Sequence, residues 1–560
     1  MRPLPIGVVD FKEIISLNYH YIDKSLFIKE LLTQAAKVTL IPRPRRFGKT
    51  LNLSMLRYFF ENTAESHAYL FEHLAIAQHP ECMAHQGQYP VIFLTFKFCD
   101  DANWDECFEG IKRVIANEFR RHSYILEKNL LDVYQQQEFK AIIALTASIG
   151  AYKVSLKNLI EYLARYHNQN PIVLLDEYDV PMHAGYYHKY YNKTARFIRK
   201  FLGDGLKDNT YLRFAVITGA MRITKESIFT GLNHPSVCTM LDPIYADKFG
   251  LVEEEVDAFM KERGLSYELD AIRAWYNGYS SGTCTVYNPW SILNCARNNG
   301  ELGAYWINTG NTDILKDLIG KSDYKIKEDI ALLLQGKSIC KMINENISFL
   351  DLKQDEVSIF NFLLFSGYLT FKNKQLRNNI PHADFCIPNK EIELIYKTTI
   401  LSWFKNVSTY TNMLDTLVSG DITLFAQQLE EYCLTSLSYF DATKREPERF
   451  YHALILGMLA HLSDVYAITS NRESGTGRYD VMMEPHDNTK PAFIIEFKKV
   501  RAQERTTLKR AAEHALQQIE EKEYAVALRK KGYKHIIPLA IAFSGKKVYV
   551  MSHFSQENDS

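Results

Sequence analysis

"LIPRPRRFGKTLNLSML", residues 40–56, closes an apolar run and opens a stretch with helical spacing. Between the two lie Arg43, Arg45, Arg46 and then Gly48-Lys49-Thr50. The pattern approaches G-x-x-x-x-G-K-[ST], in which backbone N–H groups and a helix N-terminus point at an anion. The first glycine position holds Arg43, so the match is partial. In this reading Gly48 lets the backbone come close, Lys49 reaches the β- and γ-phosphates, and Thr50 holds Mg²⁺. Taken alone, the motif reads equally well as a solvated basic turn.

A distant stretch favours the phosphate reading. "PIVLLDEYD", residues 171–179, is a continuous apolar run of the kind buried on both faces of a sheet. It ends in Asp176-Glu177, where Asp176 can bind Mg²⁺ through water and Glu177 can orient the attacking water. Two acidic residues capping a strand are the plainer alternative. "KVTLIP" (37–42), "YPVIFLTF" (89–96) and "LRFAVITGAMR" (212–222) read as further strands, with helical stretches such as 104–122 and 155–168 between them. Alternating strands and helices predict a parallel sheet with helices on both faces. Ligands of such sheets bind at the C-terminal strand edge, which is where both motifs fall. Thr218 is expected near the γ-phosphate. Arg222, Arg45 and Arg46 either contact phosphate or pair with acidic neighbours, and Phe47 belongs to the same loop.

After about residue 250 the pattern changes. "WYNGYSSGTCTVYNPWSIL" (275–293) is rich in aromatic and turn residues, and 310–440 reads as mostly helical. From about 445 a helix leads back into strands. The expected organisation is therefore 1–250, a nucleotide-binding α/β domain; 251–440, a mostly helical lid and connecting region; and 441–560, a small α/β domain. A length of 560 residues fits several domains.

Lysine plus arginine and aspartate plus glutamate both total 66, so the whole chain has no global attraction for nucleic acid and any such binding must be local. The nine cysteines show no C-x-x-C pair and no zinc spacing, which suits buried, reduced thiols. "MRPLPIGVVDFKEI" lacks a cationic region followed by an apolar core, and no segment approaches the roughly 18–20 uninterrupted apolar residues of a membrane span. A cytoplasmic protein without membrane contact is expected.

"NYHYIDKSLFIKELL", "RPRRFGKTLNLSMLRYFF", "LLDEYDVP", "ITGAMRITKESIFTGLNH" and "WYNGY…VYNPWSIL" resemble the AAA-ATPase-like family of bacterial proteins over about residues 3–300. That family also replaces the first glycine of the loop, so Arg43 is no departure from it. The resemblance implies a P-loop ATPase core, with Lys49 and Thr50 in the Walker A role, Asp176 in the Walker B role, and ATP and Mg²⁺ as ligands. Tyr21, Asp23 and Lys24 match a family segment that either lies near the nucleotide or forms an N-terminal clasp.

The tail carries a second constellation, "GRYDVMMEPHDNTKPAFIIEFKKV". A turn-rich stretch joins two candidate strands, one holding Asp480 and the other Glu496-Phe497-Lys498. Strand alternation sends Glu496 and Lys498 to one face. With Asp480 on that face, two carboxylates would hold a hard divalent ion and the lysine would steady charge on a phosphodiester. Charge at the end of a buried-looking strand is costly unless paired or metal-bound. "FYHALILGMLAHL", "SNRESGTGRYD", "IIEFKK" and "ALQQIEEKEY" resemble the PD-(D/E)XK nuclease superfamily over about residues 445–550. The resemblance implies Asp480 and Glu496 as metal ligands and Lys498 as catalytic lysine, with Glu448 as an extra carboxylate and Gln518 as a helical partner. Glu473 either approaches the metal or forms a loop salt bridge. The basic stretches at 498–510 and 529–534 read as a solvated face or as a phosphate-backbone patch.

The combined expectation is an ATP-hydrolysing protein coupled to a Mg²⁺-dependent nuclease domain, acting in DNA processing or defence against foreign nucleic acid. Its expected partners are nucleic acid, DNA ahead of RNA, and further copies of itself as a homo-oligomer. The rival is a nucleotide-dependent switch that binds a protein partner through a non-catalytic nuclease fold. Convergence of Asp480, Glu496 and Lys498 is the feature that separates the two.

Overall fold

The computed structural model describes residues 2–552 apart from 129, 223–234, 266–268, 307–317, 319–323, 348–351, 353–354, 403–406, 437–454, 456–457, 460–461, 463–464, 475–476, 501–506 and 545–546. The chain divides into two compact units, residues 1–310 with 340–391, and residues 311–339 with 392–560.

The first unit is built on a five-stranded sheet. Its strands are β1 (Val38–Pro42), β2 (Val91–Thr95), β3 (Ile172–Asp176), β4 (Ala215–Gly219) and β5 (Ser236–Val237). They lie in the order β2-β3-β4-β1-β5, and every pair is parallel. β1, β3 and β4 are buried at all five positions, as their apolar runs predict. The parallel register forces long crossovers, which the helices Lys49–Phe60, Trp104–Arg121, Ile149–His167 and Tyr191–Leu206 supply. The helix Trp104–Arg121 starts on Asn103, whose side chain accepts from the Glu106 N–H, and buries Ile111, Ile115 and Phe119 at helical spacing. Because the strands are parallel, the chain leaves each of β1, β2 and β3 at the C-terminal edge, so the segments after them meet there.

Beyond this sheet come the two-stranded β6 (Tyr279–Ser281) and β7 (Cys284–Val286), then β8 (Ile339–Met342), β9 (Thr370–Arg377) and β10 (Ile380–Cys386) in the order β8-β10-β9. The middle of the chain is largely helical in its described residues, yet these last three strands lie inside it. β9 reads "TFKNKQLR" and is exposed from its third residue on, so it has no apolar alternation to announce a strand.

The second unit carries a mixed sheet of β11 (Tyr466–Ser474), β12 (Gly477–Pro485), β13 (Ala492–Lys499), β14 (Ile536–Ser544) and β15 (Lys547–Met551), ordered β11-β12-β13-β14-β15. β13 and β14 are parallel, and the other neighbours are antiparallel. The helix Leu508–Glu521 covers one face through Ala512, Ala515, Leu516 and Ile519, its small residues packing against Ala540 and Ala542 in one core cluster. Among the described residues no helix is long and apolar enough to cross a membrane.

Candidate functional site

The loop between β1 and the helix Lys49–Phe60 turns on two left-handed residues, Arg46 (φ 70°) and Gly48 (φ 82°). A Cβ on Gly48 would meet nothing within 4 Å, so the backbone angle, not space, calls for glycine. Arg43, at the first glycine position of the motif, is not left-handed and needs no glycine. Its side chain is buried and donates to the carbonyls of Pro42 (2.9 Å), Cys238 (2.7 Å) and Tyr245 (3.5 Å). Burial pulls this guanidinium down to about 10, still charged at neutral pH.

Lys49 opens the helix. Its ammonium donates to the carbonyls of Arg43 and Pro44, both at 3.1 Å, and lies 3.5 Å from Glu177 Oε1. The Thr50 hydroxyl donates to Asp176 Oδ2 at 2.8 Å, and the Thr218 hydroxyl donates to Asp176 Oδ1 at 2.7 Å. Asp176 is fully buried at the end of β3; burial, then the neighbouring Glu177 charge, push its carboxyl above the ordinary range. Glu177 is itself left-handed (φ 53°), which turns the chain sharply off the strand. A cavity of about 320 Å³ opens here, lined by Arg45, Arg46, Lys49, Thr50, Lys97 and Glu177 on its polar side and by Val8, Val9, Pro289, Trp290 and Leu293 on its apolar side. The Arg46 guanidinium lies 4.3 Å from the centre of the Trp290 ring.

Not every expected residue faces the cavity. Phe47 is buried edge-on against Tyr279, leaving its backbone for any anion contact. Thr218 is spent on Asp176. Arg222 is not among the residues lining the cavity, and its charge acts on the Glu345 carboxyl. Tyr21, Asp23 and Lys24 form a clasp: the Lys24 ammonium binds Glu255 (2.6 Å) and the Asp247 carbonyl, Asp23 accepts from Ser25 and Ala75, and the Tyr21 hydroxyl reaches Met55. Two groups went unread in the sequence. Asp179, buried two residues beyond Glu177, accepts from the N–H groups of Ala220 and Met221 and so ties the ends of β3 and β4 together. The other is Trp290, whose one local signal is its place in "NPW", at the start of the helix Pro289–Arg297.

In the second unit the register Val481↔Ile495 puts Asp480 opposite Glu496 when extended by one residue. Asp480 Oδ2 accepts from the Phe497 N–H at 2.8 Å. Lys498 Nζ lies 3.8 Å from Glu496 Oε2 and donates to Gln518 Oε1 at 2.7 Å; Gln518 Nε2 returns to Glu496 Oε2 at 3.2 Å and to the Tyr524 hydroxyl at 3.3 Å. Glu496 is 1% exposed, and burial followed by the Asp480 charge pushes it up to about 8. Glu496 Oε1 is buried and without a hydrogen-bond partner among the described residues. Two facing carboxylates with an orphaned oxygen fit a divalent cation. Among the described residues no group of three or more His, Cys, Asp or Glu could hold a metal, so water and substrate oxygens would complete the shell. Glu448 lies outside the described residues, as does the Glu473 side chain. Of the basic stretches, Lys531 is paired with Glu484 at 2.6 Å, Arg529, Lys530 and Lys534 are exposed, and 501–506 lie outside the described residues.

Residues 5–229 match the family model described as a predicted AAA-ATPase, and residues 446–553 match that of the PD-(D/E)XK nuclease superfamily. Over 569 aligned positions the chain is 26% identical to an uncharacterized protein in the vnfD 5′ region of Azotobacter chroococcum mcd 1, covering 97% of this chain and 96% of that protein. The chain thus joins an AAA-ATPase-like region, with its parallel P-loop sheet, to a C-terminal PD-(D/E)XK nuclease superfamily region.

Proposed function

We propose that the chain hydrolyses ATP at the end of β1 and β3 and cleaves nucleic-acid phosphodiesters in its C-terminal unit. The observation that supports the nuclease half is the placement of Asp480 opposite Glu496 with Lys498 3.8 Å from the Glu496 carboxyl, whose Oε1 has no hydrogen-bond partner among the described residues. A non-catalytic fold has little use for a buried Glu496 carboxyl set opposite a second carboxyl, where burial and the Asp480 charge both oppose its ionisation. That favours catalysis over the switch reading.

Thr50 and Asp176 would hold Mg²⁺ in the first site, and Asp480 and Glu496 in the second. The ion would supply Lewis-acid charge at a phosphoryl oxygen. The chain's own groups do the rest. The helix N-terminus at Gly48 and the Lys49 ammonium attract the triphosphate. Arg45, Arg46 and Lys97 add positive charge at the cavity mouth, and Trp290 with Pro289 and Leu293 gives an apolar wall for a base. Glu177, beside Lys49, orients the attacking water. In the second site Lys498, fixed by Gln518, steadies the charge that grows on the scissile phosphate.

DNA is the preferred target, in processing or defence against foreign nucleic acid, and a homo-oligomer is the preferred assembly. The deciding experiment incubates the purified full-length chain with linear duplex DNA, single-stranded DNA and RNA in Mg²⁺ or Mn²⁺, with and without ATP. Cutting that disappears in Asp480→Ala supports the reading. No cutting of any nucleic acid, in any nucleotide state, overturns the nuclease half.

A further inference from the structure

The hairpin of β9 and β10 is unusual in what it leaves in solvent. Residues 372–380, "KNKQLRNNI", are exposed at nine consecutive positions. Asn378 and Asn379, both left-handed (φ 50° and 61°), make the two-residue turn between Arg377 and Ile380 that suits a right-twisted ribbon. A further left-handed residue, Asn373, sits where the register shifts, and its amide donates to Asp384 at 2.9 Å. Lys372, Lys374 and Arg377 therefore stand on the outer strand of a three-stranded sheet, whose β8 side ends at the Ile343 N–H to Pro381 carbonyl bond, so that the exposed β9 edge and the Arg377–Ile380 turn form its free end.

The charge is one-sided. Between Glu356 and Asp384 the sequence holds no carboxylate. Of the carboxylates around it, Asp384 stands opposite Lys372 in the hairpin and accepts from the Asn373 amide, and Glu345, which accepts from the Thr239 hydroxyl, feels the Lys374 charge, leaving Arg377 at the turn with no carboxylate beside it in the register. β9 is an edge strand, and lysines commonly blunt such edges. Edge protection accounts for a lysine or two. It does not account for Leu376, 73% exposed, and Ile380, 43% exposed, beside the exposed amides of Gln375, Asn378 and Asn379. The neighbouring helix Glu356–Phe365 is buried from Ser358 to Phe365, so the ribbon is the part of this sheet region left to meet a partner.

We propose that the β9–β10 ribbon is a duplex-DNA-binding element that enters the major groove. It rests on the reading of the chain as one that acts on nucleic acid. Six exposed residues of β9 span about 20 Å at the rise of a strand. The major groove, about 12 Å wide, admits a two-stranded ribbon, and the β9 edge with the Arg377–Ile380 turn is the part of this sheet that can enter it. Lys372 and Lys374 meet phosphates, Arg377 and Gln375 reach base edges, and Leu376 packs against sugar or thymine methyl groups. Duplex RNA presents a deep, narrow major groove that excludes the ribbon.

The test measures binding of the full-length chain to a labelled 30-base-pair DNA by anisotropy, with EDTA present so that no cutting occurs, from about 50 to 200 mM salt. Lys372→Gln, Lys374→Gln and Arg377→Gln are combined in one variant, and ATP hydrolysis with circular dichroism checks its fold. The expected result is at least tenfold weaker binding and a slope of log affinity against log salt that is shallower by about 2 to 3. A matching RNA duplex binds more weakly to wild type and is less affected. Wild-type affinity and slope in the variant, or no duplex binding by wild type, overturn the proposal, and equal loss on both duplexes overturns the groove geometry. If wild type binds through the ribbon but cuts nothing with Mg²⁺, the nuclease reading fails and the ribbon stands; cutting with unchanged binding in the variant gives the reverse.

Discussion

The Thr50 hydroxyl donates to Asp176 Oδ2 across 2.8 Å, linking the first turn after β1 to the last residue of β3. Lys49 and Glu177, one residue away on each side, face each other at 3.5 Å. Lys49→Ala removes the one ammonium held between the loop and that carboxylate. ATP hydrolysis is expected to fall by about two orders of magnitude, with nucleotide binding weakened. Glu177→Gln keeps size and polarity but loses basicity; binding of a fluorescent ATP analogue stays, and turnover falls about 100-fold. Hydrolysis unchanged in both variants would end the ATPase reading.

Asp480→Ala and Lys498→Ala are each expected to abolish DNA cutting while steady-state ATP hydrolysis stays within about twofold of wild type, since the two sites use different sheets. Gln518→Ala acts less directly. It frees Lys498 and Glu496 from a shared clamp, so cutting drops by about 10- to 100-fold without vanishing. A gel assay on plasmid DNA, paired with phosphate release, separates these outcomes. Loss of both activities together in Asp480→Ala would contradict independent sites.

What could be read in the sequence was what short spacing carries. Gly48-Lys49-Thr50 sits in one loop, Asp176 ends an unmistakable apolar strand, and Asp480, Glu496 and Lys498 follow from the alternation of two adjacent strands. Gln518 lies 20 residues from Lys498; a likeness singles it out, but its contacts to Lys498 and Glu496 are visible only in the structure. The rest depends on contacts that no local pattern encodes. Asp179 binds N–H groups 41 and 42 residues away. Trp290 reaches Arg46 from a helix more than 200 residues along the chain. β9 hides because its residues are polar on both faces. Arg222 follows β4 in the sequence, but no spacing tells which way its side chain goes; it is not among the residues lining the cavity, and its charge acts on the Glu345 carboxyl.

Arg43 explains why this loop dispenses with its first glycine. Three backbone carbonyls surround the guanidinium, and the Phe249 ring lies 5.4 Å from it. Arg43→Ala strands those carbonyls in the interior and is expected to cost on the order of 3 kcal/mol. Arg43→Lys recovers less than half, because one ammonium cannot reach all three acceptors. Urea denaturation measures both. A midpoint for Arg43→Ala equal to that of wild type would show that the arginine is not a structural pin.

Glu391 provides a test by pH that leaves the metal-binding groups alone. Its carboxylate is fully buried, accepting from the Trp306 N–H at 2.7 Å and the Ser291 hydroxyl at 2.8 Å. Burial raises it to about 7, against an ordinary value near 4.5, because the neutral donors of Trp306, Ser291 and Tyr305 do not replace the lost water. The folded protein therefore binds this proton more tightly than the unfolded chain. The stabilisation is complete below the unfolded value and is lost as pH rises through about 7, an effect on the order of 3 kcal/mol. Glu391→Gln is always neutral and can keep both contacts, since the Ser291 hydroxyl can accept as well as donate. At pH 5 the variant should match wild type in thermal midpoint or fall slightly below it. By pH 8 it should melt higher, so the difference between the two changes sign in between. Parallel melting curves at every pH from 5 to 8 would mean that Glu391 ionises normally and that its burial carries no cost.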